Sequence, residues 1–338
     1  MNGQLMPAVV VRDGAKKGEW NELSLERIEV PSLKEGEVLV QVEACSVNRA
    51  DLLQRRGLYP PPPGASQVLG LDFAGVIVKV GSGVVGVNES DRVFGITAGG
   101  GYGRYLAVRA DSLVPIPENL SFTEAAAAAE VFFTAYYNVF VLAGIQPGEV
   151  LLLHGAGSGV GTAALQLASA IGARVIVTAG SRDKIDKALQ LGASEGINYK
   201  EEDFAARAKE FTEGKGVDIV LDWIGASYLS KHLELLKTKG RLVLIGLMGG
   251  SKAEINLAPV VSKRLRIIGS VLRSQSAEEK AEITRKFIED VNPLLQSGRV
   301  KPIIDRIFGI RDVEDAHLYL KKGEHFGKVV LTWESFTE

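Results

Sequence analysis

The run Gly155-Ala156-Gly157-Ser158-Gly159-Val160-Gly161 constrains this chain more than any other stretch. It follows Val150-Leu151-Leu152-Leu153-His154, a near-continuous apolar segment suited to a strand covered on both faces. Residues 159–171 come next and read as a helix. Small residues in such a turn let backbone N–H groups approach an anion, and the helix N-terminus adds its partial positive charge. A glycine string alone says little, and the strict GxGxxG spacing is not met. Its setting between a buried strand and a helix is what a dinucleotide pyrophosphate requires.

The pattern from Gln146 onward fits that setting. Apolar strand segments at 149–154, 174–178, 196–199, 217–222 and 241–245 alternate with helical segments at 159–171, 183–191, 202–211 and 229–237, and 264–269 closes the series. Such alternation implies right-handed βαβ units and a parallel, doubly wound sheet. The first third reads differently. Residues 37–42, 73–80 and 105–108 alternate or run apolar as strands, with Gly81, Gly83 and Gly86 at turns. Tyr59-Pro60-Pro61-Pro62-Pro63-Gly64 is a stiff loop, since proline fixes φ and lacks a donor. Ser121-Phe122-Thr123-Glu124 is a capping box that opens an alanine-rich helix. The tail offers a helix at 277–295, a strand at 303–308, a helix at 313–321 and a strand at 328–333. We expect it to return to the first domain, giving a β-rich domain over 1–127, a dinucleotide domain over 128–273 and the return over 274–338.

Bulk properties exclude several classes. Length suggests about two domains, and 46% hydrophobic with 24% charged residues is a globular, soluble composition. The longest apolar runs, such as 150–153 and 125–129, fall far short of the roughly 18–20 residues of a membrane span. The N-terminus lacks a signal-peptide pattern, so a cytoplasmic location is expected. Cys45 is the only cysteine, which rules out an intrachain disulfide and a Cys-rich zinc lobe. A net charge of −2 offers no general attraction for nucleic acid. The four histidines (154, 232, 317 and 325) are scattered without ligand spacing and read as structural or surface residues.

The end of the second strand of the dinucleotide domain bears on the cofactor. An NAD site usually places Asp or Glu there for the ribose 2′-hydroxyl. This chain has Thr178-Ala179-Gly180-Ser181-Arg182-Asp183-Lys184. Ser181 can donate to a 2′-phosphate, and Arg182 or Lys184 can supply positive charge, which favours NADPH. Asp183 falls in the first turn of the next helix, where it suits the helix dipole.

With Asn48-Arg49-Ala50-Asp51, Pro62-Pro63-Gly64-Ala65, Leu69-Gly70-Leu71, Leu247-Met248-Gly249-Gly250, Leu272-Arg273-Ser274 and Gly327-Lys328-Val329-Val330, these residues resemble the zinc-independent, zeta-crystallin-like quinone oxidoreductases of the medium-chain dehydrogenase/reductase superfamily. The resemblance covers essentially the whole chain. It implies an α/β architecture: a GroES-like β-rich catalytic domain plus a Rossmann domain with a doubly wound parallel sheet. The glycine loop of that family is of the Ala-x-x-Gly-x-Gly kind, matched by Ala156, Gly159 and Gly161. Where zinc alcohol dehydrogenases of the superfamily carry ligands, this chain has Ser46, Val47, Asn48 and Leu71-Asp72, so no metal is expected.

The resemblance further implies Tyr59 and Asn48 beside nicotinamide and substrate, with Thr134 approaching the nicotinamide. Ala156, Gly157, Ser158, Gly159, Val160 and Gly161 would take the pyrophosphate. Ser181, Lys184 and Tyr199 would surround the 2′-phosphate. Gly246, Leu247 and Met248, with Ser270, Val271 and Leu272, would line the ribose and nicotinamide edge. The implied reaction is metal-free hydride transfer from NADPH to a quinone, because an electron-poor quinone accepts hydride without a Lewis acid. The rival enzyme reading is a 2-alkenal or enoyl reductase. The rival of another class is an NADPH-binding structural or regulatory, crystallin-like protein. Relatives are commonly homodimers, and the strand expected at 264–272, at the sheet edge, is the candidate pairing edge.

Overall fold

The structure is a computed structural model, and it describes residues 3–12 and 14–334. The chain divides into two compact units. Unit 1 comprises Met1–Phe133, Arg273–Gly298 and Pro302–Glu338, and unit 2 comprises Thr134–Leu272 with Arg299–Lys301.

In chain order, unit 1 opens with strands β1 (Leu5–Arg12), β2 (Glu22–Glu29) and β3 (Glu37–Val47), then helix α1 (Arg49–Gln54). Strands β4 (Asp72–Val80), β5 (Arg92–Ile96), β6 (Tyr105–Arg109) and β7 (Val114–Pro115) and helix α2 (Phe122–Ala135) follow. Unit 2 carries β8 (Val150–Leu153), α3 (Gly159–Ala170), β9 (Arg174–Ala179), α4 (Arg182–Gln190), β10 (Glu195–Asn198), α5 (Phe204–Phe211) and β11 (Val217–Asp222). It continues with α6 (Ala226–Leu235), β12 (Leu236–Leu244), α7 (Ala258–Ser262) and β13 (Arg266–Gly269). The tail adds α8 (Ala277–Asp290), α9 (Asn292–Gln296), β14 (Ile304–Gly309), α10 (Val313–Lys322) and β15 (Lys328–Thr332).

Unit 1 is built on a seven-stranded sheet in the order β14-β15-β3-β4-β5-β7, with β6 paired to β3. The apolar side chains of β3 (Val38, Val40, Val42) enter a core shared with Phe73 and Ile77 of β4 and Val329 and Leu331 of β15. The C-terminal strand is part of this sheet, Val329 lying opposite Val47. β1 and β2 form a separate antiparallel ribbon that the sequence pattern did not single out.

Unit 2 is a six-stranded, all-parallel sheet in the order β10-β9-β8-β11-β12-β13. The chain starts at the centre, works outward through β9 and β10, then returns to β11 beside β8. That reversal makes the carboxyl ends of β8 and β11 the topological switch point, where open α/β sheets form their ligand crevice. Helix starts are capped as local chemistry dictates: Ser158 accepts from Gly161 N–H, Ser181 from Lys184 N–H, and Asp203 from Ala205 and Ala206 N–H.

Two local features depart from the sequence pattern. The helix expected at 229–237 runs instead from Ala226 to Leu235, and the chain is already extended at Leu236, with ψ 138°. The apolar residues of α6 run on into Leu235-Leu236 with no glycine or proline to mark the end. The alanine-rich helix continues beyond α2 as a π-helical stretch, Tyr136–Leu142. Together, Phe122–Leu142 make the one helix among the described residues long and apolar enough to cross a membrane by length and composition. Its most apolar window is 72% buried inside the protein, the condition of a core helix.

Candidate active site

In unit 2 the residues expected at the dinucleotide lie on loops that leave the carboxyl ends of parallel strands. After β8 the chain passes through His154 and Gly155, whose φ of +57° is the left-handed conformation that glycine adopts without cost. A Cβ on Gly155 would come within 2.9 Å of the Trp223 ring, and one on Gly161 within 2.6 Å of the Gly155 carbonyl. The turn is therefore closed against any larger side chain. Ala156 N–H donates to Thr178 O at 2.9 Å, which ties the loop to the end of β9. The amides of Gly159 and Val160 head α3, where no preceding turn supplies a carbonyl. Gly157 and Ser158 complete the turn, with Ser158 N–H donating to Gly155 O at 2.9 Å.

The loop after β9 carries Ser181, the N-cap of α4, with Lys184 half-buried in the first turn. Arg182 pairs with Asp186 at 2.9 Å and Asp183 with Lys187 at 2.8 Å, both on the exposed helix face. Tyr199, after β10, bends back over this loop: a Cβ on Gly180 would lie 2.7 Å from Tyr199 Oη. Tyr199 thus comes against the residue before Ser181, whose hydroxyl accepts from the Lys184 backbone N–H, although 15 residues or more separate Tyr199 from the other two. Gly246, Leu247 and Met248 follow β12. Their loop is held by Met248 N–H to Trp223 O (3.0 Å) and Gly249 N–H to Ile224 O (2.6 Å). Leu247 and Met248 are more than half exposed. Ser270, Val271 and Leu272 follow β13, and Ser270 N–H donates to Leu244 O at 3.0 Å. Thr134 lies instead on α2, where its carbonyl accepts from Asn138 Nδ2 at 2.7 Å. A chain that presents small residues, a helix start and a loop serine at the carboxyl ends of neighbouring strands fits a dinucleotide.

In unit 1, Tyr59 is half-buried on the proline loop. Arg273 lies over its ring, 5.1 Å from the centroid, and donates to the Tyr59 carbonyl at 3.3 Å. The same guanidinium donates to Ala98 O and, at 2.6 Å, to Gln54 Oε1. Burial raises the Tyr59 hydroxyl pKa above its ordinary value, while the Arg273 charge opposes that rise. Asn48 is buried, and both its amide hydrogens are engaged: Nδ2 donates to Asp72 Oδ2 at 2.6 Å and to Ser46 O at 3.3 Å. Its Oδ1 accepts from Lys328 Nζ at 2.6 Å. Asp72 also accepts the Ser46 hydroxyl and backbone N–H. Asp51 accepts from Asn48 N–H (2.7 Å), Gly70 N–H (3.1 Å) and the Tyr102 hydroxyl (3.3 Å). Burial pushes the Asp51 carboxyl up to about 7 and raises that of Asp72.

Two family models match this chain: an alcohol dehydrogenase GroES-like domain over residues 34–118, and a zinc-binding dehydrogenase domain over 159–288. The quinone oxidoreductase of Homo sapiens is 34% identical over 306 residues, which cover 90% of this chain and 91% of that protein. The chain belongs to the quinone oxidoreductase family. With it comes membership of the medium-chain dehydrogenases/reductases and of the nicotinamide-dependent oxidoreductases. Among solved structures, the quinone oxidoreductase of Pseudomonas syringae superposes with a TM-score of 0.85 at 28% identity, covering 97% of this chain and 100% of that one. The CurK enoyl reductase superposes with a TM-score of 0.83 at 28% identity, covering 96% and 98%. The GroES-like and Rossmann reading of the sequence agrees with this membership.

The name zinc-binding dehydrogenase raises the question of metal in this quinone oxidoreductase family member. Ser46, Asn48 and Asp72 offer a hydroxyl, an amide and a carboxylate, and each is already hydrogen-bonded to the others. The Lys328 ammonium is bonded to Asn48 in their midst. Tetrahedral zinc requires thiolate or imidazole donors in most sites, and this donor set does not fit it.

Sequence reasoning missed one cluster. The histidines looked scattered, yet the fold brings His154 and His232 into contact, Nε2 to Nε2 at 2.8 Å. Seventy-eight residues separate them, and only the packing of α6 on the sheet joins them. Arg273 and Lys328 were also not singled out, although both lie in stretches that carried the resemblance.

Proposed function

We propose that the protein is a metal-free, NADPH-dependent quinone reductase. The observation that carries this reading is the loop after β9, where Ser181 caps the helix that carries Lys184 in its first turn and Tyr199 folds against Gly180, with no Asp or Glu at the strand end. A serine hydroxyl and an ammonium suit a 2′-phosphate, whereas an acidic residue would suit a free 2′-hydroxyl. NADPH, when bound, supplies the hydride. The chain's own residues then have defined tasks. The amides heading α3 bind the pyrophosphate, Leu247 and Met248 supply an apolar edge, and Ser181 with Lys184 discriminates between the cofactors. Tyr59 keeps a partly exposed ring and is assigned to the quinone. Both amide hydrogens of Asn48 are committed, so Asn48 is assigned to fixing the Asp72–Lys328 network. A quinone is electron-poor, and a positioned hydroxyl and ordered cleft suffice without a Lewis acid. Solvent delivers the proton.

Lys184→Ala should raise the Michaelis constant for NADPH roughly tenfold, the scale of one charge-assisted contact, and leave that for NADH unchanged. Equal effects on both cofactors would remove the assigned role. The superposition with an enoyl reductase favours one alternative, reduction of a carbon–carbon double bond. Product analysis separates them: hydroquinone or semiquinone supports the proposal, and a saturated ketone from an enone as the better substrate supports the rival. The proposal places the enzyme in the cytoplasm as a homodimer. β13 ends the sheet with Ile267 exposed, which supports it as the pairing edge. A monomeric mass by light scattering would reject the dimer.

A further inference from the structure

Beneath the dinucleotide loops of unit 2 lies a buried polar chain that none of the roles above uses. Thr178 Oγ1 is 3.0 Å from His154 Nδ1, and His154 Nε2 is 2.8 Å from His232 Nε2. His232 Nδ1 faces Asp222 Oδ2 across 3.5 Å. All four residues are essentially inaccessible to solvent. Aromatic side chains enclose the pair, with Phe204 4.9 Å and Tyr228 5.1 Å from the His154 ring.

The three donors His154, His232 and Asp222 sit close enough together to suggest a metal, but the geometry argues otherwise. Two nitrogens on one tetrahedral zinc, at about 2.0–2.1 Å each, stand about 3.4 Å apart. Here they stand 2.8 Å apart, a hydrogen-bond length. His232 also turns its two nitrogens to different partners. Thr178, His154 and His232 form a hydrogen-bonded chain, and Asp222 faces its end.

Its direction follows from charge. Burial holds both imidazoles neutral, with the pKa of His232 lowered to about 3 and that of His154 well below its ordinary value. Each ring then has one N–H and one lone pair. Asp222, raised by burial to about 6, is ionised at neutral pH and accepts from Ile224 N–H (2.6 Å) and Gly225 N–H (3.0 Å). A carboxylate facing His232 Nδ1 favours the proton there, so His232 Nε2 is the acceptor. His154 Nε2–H donates to it, and the lone pair on His154 Nδ1 accepts the Thr178 hydroxyl.

The chain joins three strand ends. Thr178 closes β9 and its carbonyl holds Ala156 of the glycine loop. His154 leads out of β8 into that loop. Asp222 ends β11 and holds the turn whose Trp223 and Ile224 carbonyls secure Met248 and Gly249. We propose that Thr178, His154, His232 and Asp222 are positioning residues: a directed hydrogen-bond chain from Thr178 through His154 to His232, with the Asp222 carboxylate facing its far end across 3.5 Å, sets the relative placement of the three loops and so the affinity for the dinucleotide. This rests on the reading that those loops hold the cofactor.

The test pairs binding with spectroscopy on the full-length protein. Thr178→Val is isosteric and removes only the hydroxyl, and Thr178→Ser restores it. Thr178→Val should weaken both NADPH and NADH, measured by nicotinamide fluorescence, by about tenfold, and Thr178→Ser should recover most of the loss. Nitrogen-15 NMR of the wild type at pH 7.5 should show His154 protonated on Nε2 and His232 on Nδ1. In Thr178→Val the His154 Nδ1 resonance should shift as it loses its donor. Wild-type affinity in Thr178→Val, or the opposite pair of tautomers, would overturn the proposal while leaving the cofactor reading intact. A wild-type protein that binds neither dinucleotide would overturn the cofactor reading and this one with it.

Discussion

Each unit hides a polar chain that ends on a carboxylate capping backbone amides, and the two chains solve the burial of charge differently. In unit 1, His317 Nε2 lies 3.1 Å from the Tyr102 hydroxyl, which reaches Asp51, and Asp51 holds Asn48 and Gly70 N–H. In unit 2, Thr178, His154 and His232 lead to Asp222, which holds Ile224 and Gly225 N–H. Unit 1 buries a second carboxylate, Asp72, and an ammonium, Lys328, bridged by Asn48. Unit 2 buries one carboxylate with neutral rings and no lysine or arginine in its chain. A lone buried carboxylate is tolerated where several N–H groups face it. Two close together call for a cation, because like charges in a low dielectric raise each other's energy.

The largest effect should therefore come from unit 1. Lys328→Met removes the ammonium, leaves Asn48 Oδ1 and Val47 O without its donation, and takes the nearby positive charge from Asp72. It should cost about 3–5 kcal/mol of stability, read as a lower denaturant midpoint at unchanged slope. A loss under 1 kcal/mol would mean that the two chains do not differ as described. Asp222→Asn in unit 2 removes a charge that has no buried counter-ion, but sets an amide N–H against one of the two backbone donors. It should cost less, about 1–3 kcal/mol. A cost above that of Lys328→Met would invert the comparison.

Acidification should separate the units by sign. The fold lowers the pKa of His154 and His232, so their contribution is present above about 6.5 and is lost as pH falls toward 3. It raises Asp51 to about 7 and raises Asp72, so their contribution is complete below about 3.8 and is lost as pH rises through the folded values. His317, lowered to about 3, opposes the carboxyls in unit 1, and Asp222 opposes the histidines in unit 2. Two groups stand against one in each unit, with opposite signs. Between pH 7 and 5, hydrogen exchange corrected for intrinsic rates should speed up in β8, β9 and β11 relative to β3 and β4. A uniform change would show that the buried chains do not govern local stability.

The fold was legible in the sequence where local pattern and topology agree. The apolar β8, its glycine turn and the helix after it are contiguous, and strand–helix alternation fixed the parallel sheet. Features that depend on distant packing were not legible. His154 and His232 look unrelated until α6 packs on the sheet, and Lys328 reaches Asn48 only because β15 pairs with β3. The start of β12 at Leu236 was hidden because the apolar run of α6 carries on without a stop residue. Along the loops proposed to hold the cofactor, spacing singled out Ser181 and Lys184, and the resemblance brought in Tyr199. The bend of Tyr199 over Gly180 is a property of the folded chain.

The central claim is tested most directly by mixing the purified protein with NADPH and 1,2-naphthoquinone and following absorbance at the nicotinamide band. A metal-free, NADPH-dependent quinone reductase gives a protein-dependent fall in absorbance, faster with NADPH than with NADH and insensitive to metal chelators. No oxidation with this or any other quinone or enone would contradict it.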